Sequence, residues 1–228
     1  MSAPAWLFQR GVLWALDLWR GAPARAEARI SVRFAESSRE DLSPLAQAMG
    51  LPESSEARRR LDTGRRCFVG WVDNSIVTYG WLTIGDEDVG ELERTYRMRP
   101  GEAYIWDCAT RPEWRGQGLY GALLGCINAT LAREGVRRAW IGTNLENEAS
   151  LKAFARSGFT PIVEVAYARL LRLSVLWFIN QPGAPADMIR YARQMLVAPY
   201  ERTLGALAVG IRPGISSSPQ PSPTGRSS

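Results

Sequence analysis

One stretch constrains this chain more than any other. From Glu102 to Thr110, apolar and aromatic residues read as a buried strand. Pro112 turns the chain, Arg115-Gly116-Gln117-Gly118 follows, and Leu119, Leu123, Leu124, Ile127 and Leu131 then recur at helical spacing until Gly135. A strand that feeds a helix through glycines leaves the helix's first N–H groups without intrahelical partners. Those amides and the helix dipole form an anion site, which glycine lets a ligand approach without a Cβ in the way. A diphosphate is the natural occupant, with the Arg115 charge beside it. The bland alternative is a glycine-rich turn that holds nothing.

Around this unit, residues 29–175 read as one mixed α/β domain. Strands are predicted at Arg29–Ala35, Cys67–Val72, Ile76–Ile84, Ala103–Thr110, Arg138–Thr143 and, as one or two, Ile162–Leu173. Asp73-Asn74-Ser75 marks a hairpin between the second and third. Helices are predicted at Arg39–Met49, Glu56–Leu61, Leu119–Glu134 and Glu148–Ser157, and Gly50, Gly64, Gly135 and Gly158 follow them as stops. The expected fold is a mixed central sheet of about six or seven strands flanked by helices.

The ends read differently. Residues 1–28 carry Trp6, Leu7, Val12, Leu13, Trp14, Leu16, Leu18 and Trp19 among arginines. Gln9-Arg10 and Asp17 interrupt the apolar core a signal peptide needs. The segment is expected to be an amphipathic helix, packed on the domain or a partner, or lying in a membrane interface. Residues 176–215 are expected to form a helical extension, with Met188, Ile189, Met195, Leu196, Leu204 and Leu207 as its apolar positions. Residues 216–228 are Ser/Pro-rich and are expected to be a disordered tail. No run of about 18 apolar residues exists to span a membrane as a helix.

Composition removes several chemistries. The 228 residues include no histidine, which excludes Ser-His-Asp triads, Cys-His pairs and HExxH metal sites. The three cysteines, Cys67, Cys108 and Cys126, are too widely spaced for a zinc pattern or a disulfide framework, so no metal is expected and a reducing, cytoplasmic setting is. The net charge of +5 comes without a basic stripe interleaved with aromatics, so no nucleic-acid partner is expected. Arg58-Arg59-Arg60 reads as the solvated face of a helix. The acidic run Asp86-Glu87-Asp88-Val89-Gly90-Glu91-Leu92-Glu93 reads as a solvated hairpin loop that could also draw in a cationic amine.

Gly116, Gly118 and Gly121 also spell G-x-G-x-x-G. A dinucleotide-binding fingerprint wants its first glycine directly after the strand and an acidic residue about 20 positions on. Here Arg111 to Arg115 intervene and Glu146 lies late.

Thr110-Arg-Pro-Glu-Trp-Arg-Gly-Gln-Gly-Leu-Tyr-Gly-Ala-Leu-Leu124 resembles the pyrophosphate-binding motif of the GNAT superfamily of acyl-CoA-dependent N-acyltransferases. Thr143-Asn144 to Asn147, leading to Phe154 and Gly158-Phe159, is similar to that family's Asn-started helix ending in Gly-Phe. The resemblance spans about Arg29 to Leu173. It implies a GNAT-like fold and direct transfer of an acetyl group from acetyl-CoA to a primary amine in a ternary complex. The implied cofactor contacts are Cys108, Ala109, Thr110, Arg115, Gly116, Gln117, Gly118, Leu119, Tyr120, Gly121, Asn144 and Asn147. Glu102 stands where some members carry a general-base glutamate. On a regular strand Glu102, Tyr104, Trp106, Cys108 and Thr110 share one face and Asp107 the other, so Glu102 is the first candidate base and Asp107 the second.

The fit to the family is not complete. Counted from Arg115, Gly118 fits the motif and Tyr120 stands where it has Gly or Ala; counted from Glu113, Gly116 and Gly118 fit and Glu113 stands where it has Gln or Arg. Phe154 stands where many members carry a tyrosine near the leaving thiolate. Phe154 has no proton to give, which keeps open a non-catalytic acyl-CoA-binding protein. An NAD(P)-binding enzyme is the other alternative. The terminal helices leave room for a dimer contact or a peripheral membrane contact.

Overall fold

A computed structural model of the chain describes residues 6–24, 26–89, 94–198 and 201–211. In chain order its elements are β1 (Trp6–Asp17), β2 (Arg33–Glu36), α1 (Leu42–Ala48), α2 (Ser55–Asp62), β3 (Arg66–Val72), β4 (Ser75–Ile84), β5 (Glu87–Val89), β6 (Arg94–Tyr96), β7 (Glu102–Thr110), α3 (Leu119–Arg133), β8 (Arg138–Asn144), α4 (Glu148–Arg156), β9 (Thr160–Leu170), β10 (Leu173–Asn180), α5 (Ala186–Leu196), β11 (Glu201–Leu204) and β12 (Leu207–Ile211). The elements read between residues 29 and 175 recur with boundary shifts of a few residues, and the paired β5 and β6 are added where no strand was expected. Ten strands form one sheet in the order β11-β12-β10-β9-β1-β8-β7-β4-β3-β2, and β5 and β6 pair separately. Among the described residues β7 and β8 are the parallel pair and the other pairs are antiparallel.

The sheet is wider than expected because both ends of the chain add strands to it. The N-terminal segment is not a helix. As β1 it lies between β8 and β9, with Gly11–Asp17 paired to Asn144–Arg138 and Trp6–Ala15 to Leu170–Thr160. Leu13 and Ala15 enter the core under α5, while Trp14 and Leu16 enter the core under α3 and α4. A strand buried on both faces loses the apolar–polar alternation that identifies a strand, so its sequence reads like a buried helix. The C-terminal extension is likewise only partly helical. α5 covers Ala186–Leu196, but β10 precedes it and the β11–β12 hairpin follows it. The terminal helices that were to carry a dimer or membrane contact are therefore strands and one core-packed helix. The tail at 216–228 lies outside the described residues.

Helices cover the sheet unevenly. α3 and α4 pack on one face around Ile105, Leu123, Leu124, Ile127, Ile141 and Phe154. On the other face α1 packs over Val69, Ile76 and Trp81, and α5 over Tyr167, Leu176 and Phe178. The face of β9, β10 and β12 away from α5 has no helix among the described residues, and Leu170, Leu173, Trp177 and Ile211 are exposed there. A fully buried Arg94–Glu201 ion pair at 2.6 Å ties β6 to β11, and the Ser174 hydroxyl donates to the same carboxylate at 2.6 Å. No described helix is long and apolar enough to cross a membrane.

Candidate active site

The site is built where two parallel strands part. β7 and β8 pair only from Glu102–Arg138 to Ile105–Ile141. Beyond that, β7 stays with β4 as far as Thr110, and β8 stays with β1 as far as Asn144. Each strand keeps its outer neighbour and loses its inner one, so a wedge opens between them. The wedge belongs to a cleft of about 860 Å³ lined by residues of β1, α2, β5, β7, α3, β8 and α4.

A bulge shapes the β7 wall. Tyr79 pairs with Ala109 and Trp81 with Trp106, so Asp107 and Cys108 together oppose Gly80. Asp107 takes a left-handed backbone, with φ +42°. This breaks the regular alternation expected for the strand. Tyr104 packs in the α5-side core, while Cys108 packs against the α3-side core, opposite to it. Asp107 turns into the cleft and pairs with Arg60, and the Tyr79 hydroxyl lies 3.5 Å from it.

Arg60 is the centre of that end of the cleft. It lies over the rings of Trp81 and Trp106, at 5.1 and 4.7 Å, and donates to Glu56 at 2.8 Å as well as to Asp107. It is not part of a solvated helix face, although Arg58 and Arg59 are exposed. The hydrogen bonds from Arg59 and Arg60 hold the Glu56 carboxyl down at about 2. Glu87 of the acidic run is buried, held by Arg65 at 2.8 Å and by the Thr83 hydroxyl, while Asp88 lines the cleft. Residues 90–93 of that run lie outside the described residues.

At the α3 end, Gly118 caps the helix with φ +74°, and no described side chain caps the first turn. The amides of Leu119, Tyr120 and Gly121 are the expected first-turn orphans, so the local chemistry fits a diphosphate. The Leu119 side chain is core and can offer only its backbone. Arg115 turns back, its Nε donating to the Thr110 carbonyl at 3.3 Å. The glycines do more than admit a ligand. A Cβ on Gly118 would stand 3.0 Å from the Glu27 carbonyl oxygen, and one on Gly121 3.3 Å from Ala26. The Arg29 amide donates to the Gln117 carbonyl at 2.8 Å. The connection from β1 to β2 thus closes one flank of the loop, while Gly116 faces open space.

The expected site residues divide accordingly. Asp107, Cys108, Tyr120, Asn144 and Asn147 line the cleft. Asn147 also caps α4, its Oδ1 accepting from the Ser150 amide at 3.2 Å. Ala109, Thr110, Arg115, Gly116, Gln117, Gly118, Leu119 and Gly121 lie beyond the lining, in the strand end and loop that continue it. Glu102 lies apart from both groups. It sits at the closed, paired end of β7 and is buried, accepting from Trp140 Nε1 at 2.9 Å and from Arg138 at 3.1 Å. It does not reach the cleft. Burial pushes the Cys108 thiol well up, so it stays protonated and is no thiolate nucleophile. Gln9–Leu13 of β1 and Glu56, Arg59 and Arg60 of α2 line the cleft but carry no local motif, so only their tertiary placement reveals them.

The Acetyltransferase (GNAT) family model matches residues 33–159. Curated relatives described as uncharacterized N-acetyltransferases, from Mycobacterium tuberculosis and Mycobacterium bovis, are 30% identical over 105 residues. That match covers 46% of this chain and 55% of each relative, so the chain spans about half the length of the curated relatives it matches. Among solved structures, a GNAT-family acetyltransferase from Novosphingobium aromaticivorans aligns with a TM-score of 0.50 at 18% identity, covering 74% of this chain and 67% of that one. A GCN5-related N-acetyltransferase from Sphaerobacter thermophilus aligns with a TM-score of 0.51 at 17% identity, covering 78% and 54%. Those likenesses concern the fold. The family match covers more than half of the sequence, through the parted strands and the glycine loop, and the chain belongs to the GNAT acetyltransferase family.

Proposed function

We propose that the protein is an N-acetyltransferase that moves an acetyl group from acetyl-CoA to a primary amine by direct attack in a ternary complex. One observation carries the reading: a parallel strand pair parts and leads, through glycines, to a helix N-terminus without a side-chain cap. The α3 amides suit the diphosphate, and Asn144 and Asn147 offer polar contacts to the arm that follows it. The unpaired inner edge of β7 can take an extended arm as an added strand. A backbone N–H at Cys108 or Ala109 facing the thioester oxygen would lower the barrier by about 3 kcal/mol.

The amine needs a proton acceptor, because an alkyl ammonium with a pKa near 10 cannot attack. With Glu102 committed elsewhere, Asp107 is our candidate base, acting through water from the bulge. Its ion pair with Arg60 holds it in place. The acceptor enters on the side lined by Glu56, Asp88 and Arg59. The wide spacing of Cys67, Cys108 and Cys126, which suits no disulfide framework, supports a cytoplasmic setting.

The test is thermal stabilisation by acetyl-CoA, CoA and NAD. A ligand at about 100 times its Kd adds about 2.7 kcal/mol, a shift of about 5–10 °C for a chain of this size. We expect that shift with both CoA species and its loss in Gln117→Glu, which places a negative charge in the loop without changing its backbone. Gly118→Glu would not serve, because its side chain would also strike the Glu27 backbone. Stabilisation by NAD alone defeats the proposal. CoA binding without acetyl transfer to any amine tried returns the protein to a non-catalytic acyl-CoA binder.

A further inference from the structure

Phe154 leaves the expected proton-donor position of α4 filled by a hydrocarbon ring. It is 1% exposed and is wrapped by Trp14, Phe159 and Tyr120, with ring centroids at 6.0, 6.2 and 6.4 Å. The residue against it on the cleft side is Tyr120, the large side chain at a place where the family motif, counted from Arg115, has Gly or Ala. Tyr120 lines the cleft together with Cys108, Asn147 and Ser150. The Ser150 hydroxyl is hydrogen-bonded to its phenol oxygen. Either hydroxyl can donate in that pair, and with Ser150 donating the phenol O–H is left for a partner in the cleft.

The other tyrosines lining the cleft, Tyr96 and Tyr104, belong to the core on the opposite face of the sheet. Tyr120 is on the α3–α4 face, where the glycine loop and the Asn147 cap bring in the thiol-bearing arm. We propose that Tyr120 donates its phenol O–H as a hydrogen bond to the departing sulfur, taking over the role that Phe154 cannot fill. This rests on the acyl-transfer reading above.

The step balances without another reagent. The acceptor nitrogen bonds to the carbonyl carbon, the C–S bond breaks, and its electron pair stays on sulfur. Tyr120 keeps its proton and shares it. Burial pushes its acidity well below that of an ordinary phenol, and an ordinary thiol is already the stronger acid, near 8.5. The charge therefore rests on sulfur, and solvent protonates the thiolate on release.

The experiment is an ultraviolet titration of the thiolate of CoA bound to the full chain, which needs no acceptor. In the wild-type protein the bound thiol should ionise at lower pH than in Tyr120→Phe. Hydrogen bonds to charged groups correspond to about a ten- to hundredfold change in the ionisation constant. Turnover with an amine acceptor should fall by a similar factor, while CoA affinity at acid pH stays the same. Adding Phe154→Tyr to Tyr120→Phe moves the phenol across the ring contact and should restore part of the effect, which a merely structural role for Tyr120 would not allow. Equal thiol ionisation in wild type and Tyr120→Phe overturns the proposal. Failure of the wild-type protein to bind CoA at all overturns the acyl-CoA reading itself, and the proposal with it.

Discussion

Gly116 and Gly118 share a backbone problem but not a packing problem, and alanine at each separates the two. Both sit at positive φ, +79° and +74°. An L-residue pays about 1–2 kcal/mol there, partly offset by the stiffer unfolded chain, so strain alone costs about 1 kcal/mol. A Cβ at 116 meets nothing, whereas a Cβ at 118 stands 3.0 Å from the Glu27 carbonyl oxygen. That neighbour is backbone, pinned by the Arg29–Gln117 hydrogen bond, and cannot rotate away. Crowding of this kind adds about 1–3 kcal/mol. Taking about 3 °C per kcal/mol for a chain of this length, Gly116→Ala should melt about 3 °C below wild type and Gly118→Ala about 9 °C below. Thermal melts of the ligand-free proteins, followed by tryptophan fluorescence and circular dichroism, measure the difference. Equal losses, or a larger loss at 116, would refute the placement of the β1–β2 connection against the loop.

Leu13→Ala asks whether β1 is a central strand. Leu13 is 3% exposed under α5, so its truncation should cost about 2–5 kcal/mol in urea unfolding, whereas a residue on a surface arm would cost within about 0.5. The Glu56–Arg59–Arg60 cluster predicts an acid limb. The carboxyl is held at about 2 in the folded chain against an ordinary 4.5, so its contribution is complete above 4.5 and is lost as the pH falls towards 2. Glu56→Gln should flatten stability across that window, and an unchanged acid limb would mean that other carboxylates set it.

The strand–loop–helix unit at 102–134 was readable because each of its signals is local. Apolar runs, Pro112, the glycines and the helical spacing act within a few residues of one another. Asn147 was readable as a cap for the same reason. Glu102 and Asp107 were ranked on an ideal alternation, which carries no information about a bulge. The extra residue at Asp107–Cys108 moves Asp107 into the cleft, and the partners Arg138 and Trp140 that hold Glu102 come from a strand 36 residues away. Arg60 was misread because a run of arginines looks solvated until the helix that bears it docks on Trp81 and Trp106.

Residue type and near spacing alone carried the family, the glycine-rich helix start and the absence of histidine chemistry. The assembled fold was needed to put the first strand inside the sheet, to lay its linker against the glycine loop, and to bring one carboxylate, one arginine and one phenol into the same cleft. Those are contacts between segments far apart in the chain. Their energy comes from burial on two faces and from ion pairs that form only once the sheet is assembled, so no local pattern records them.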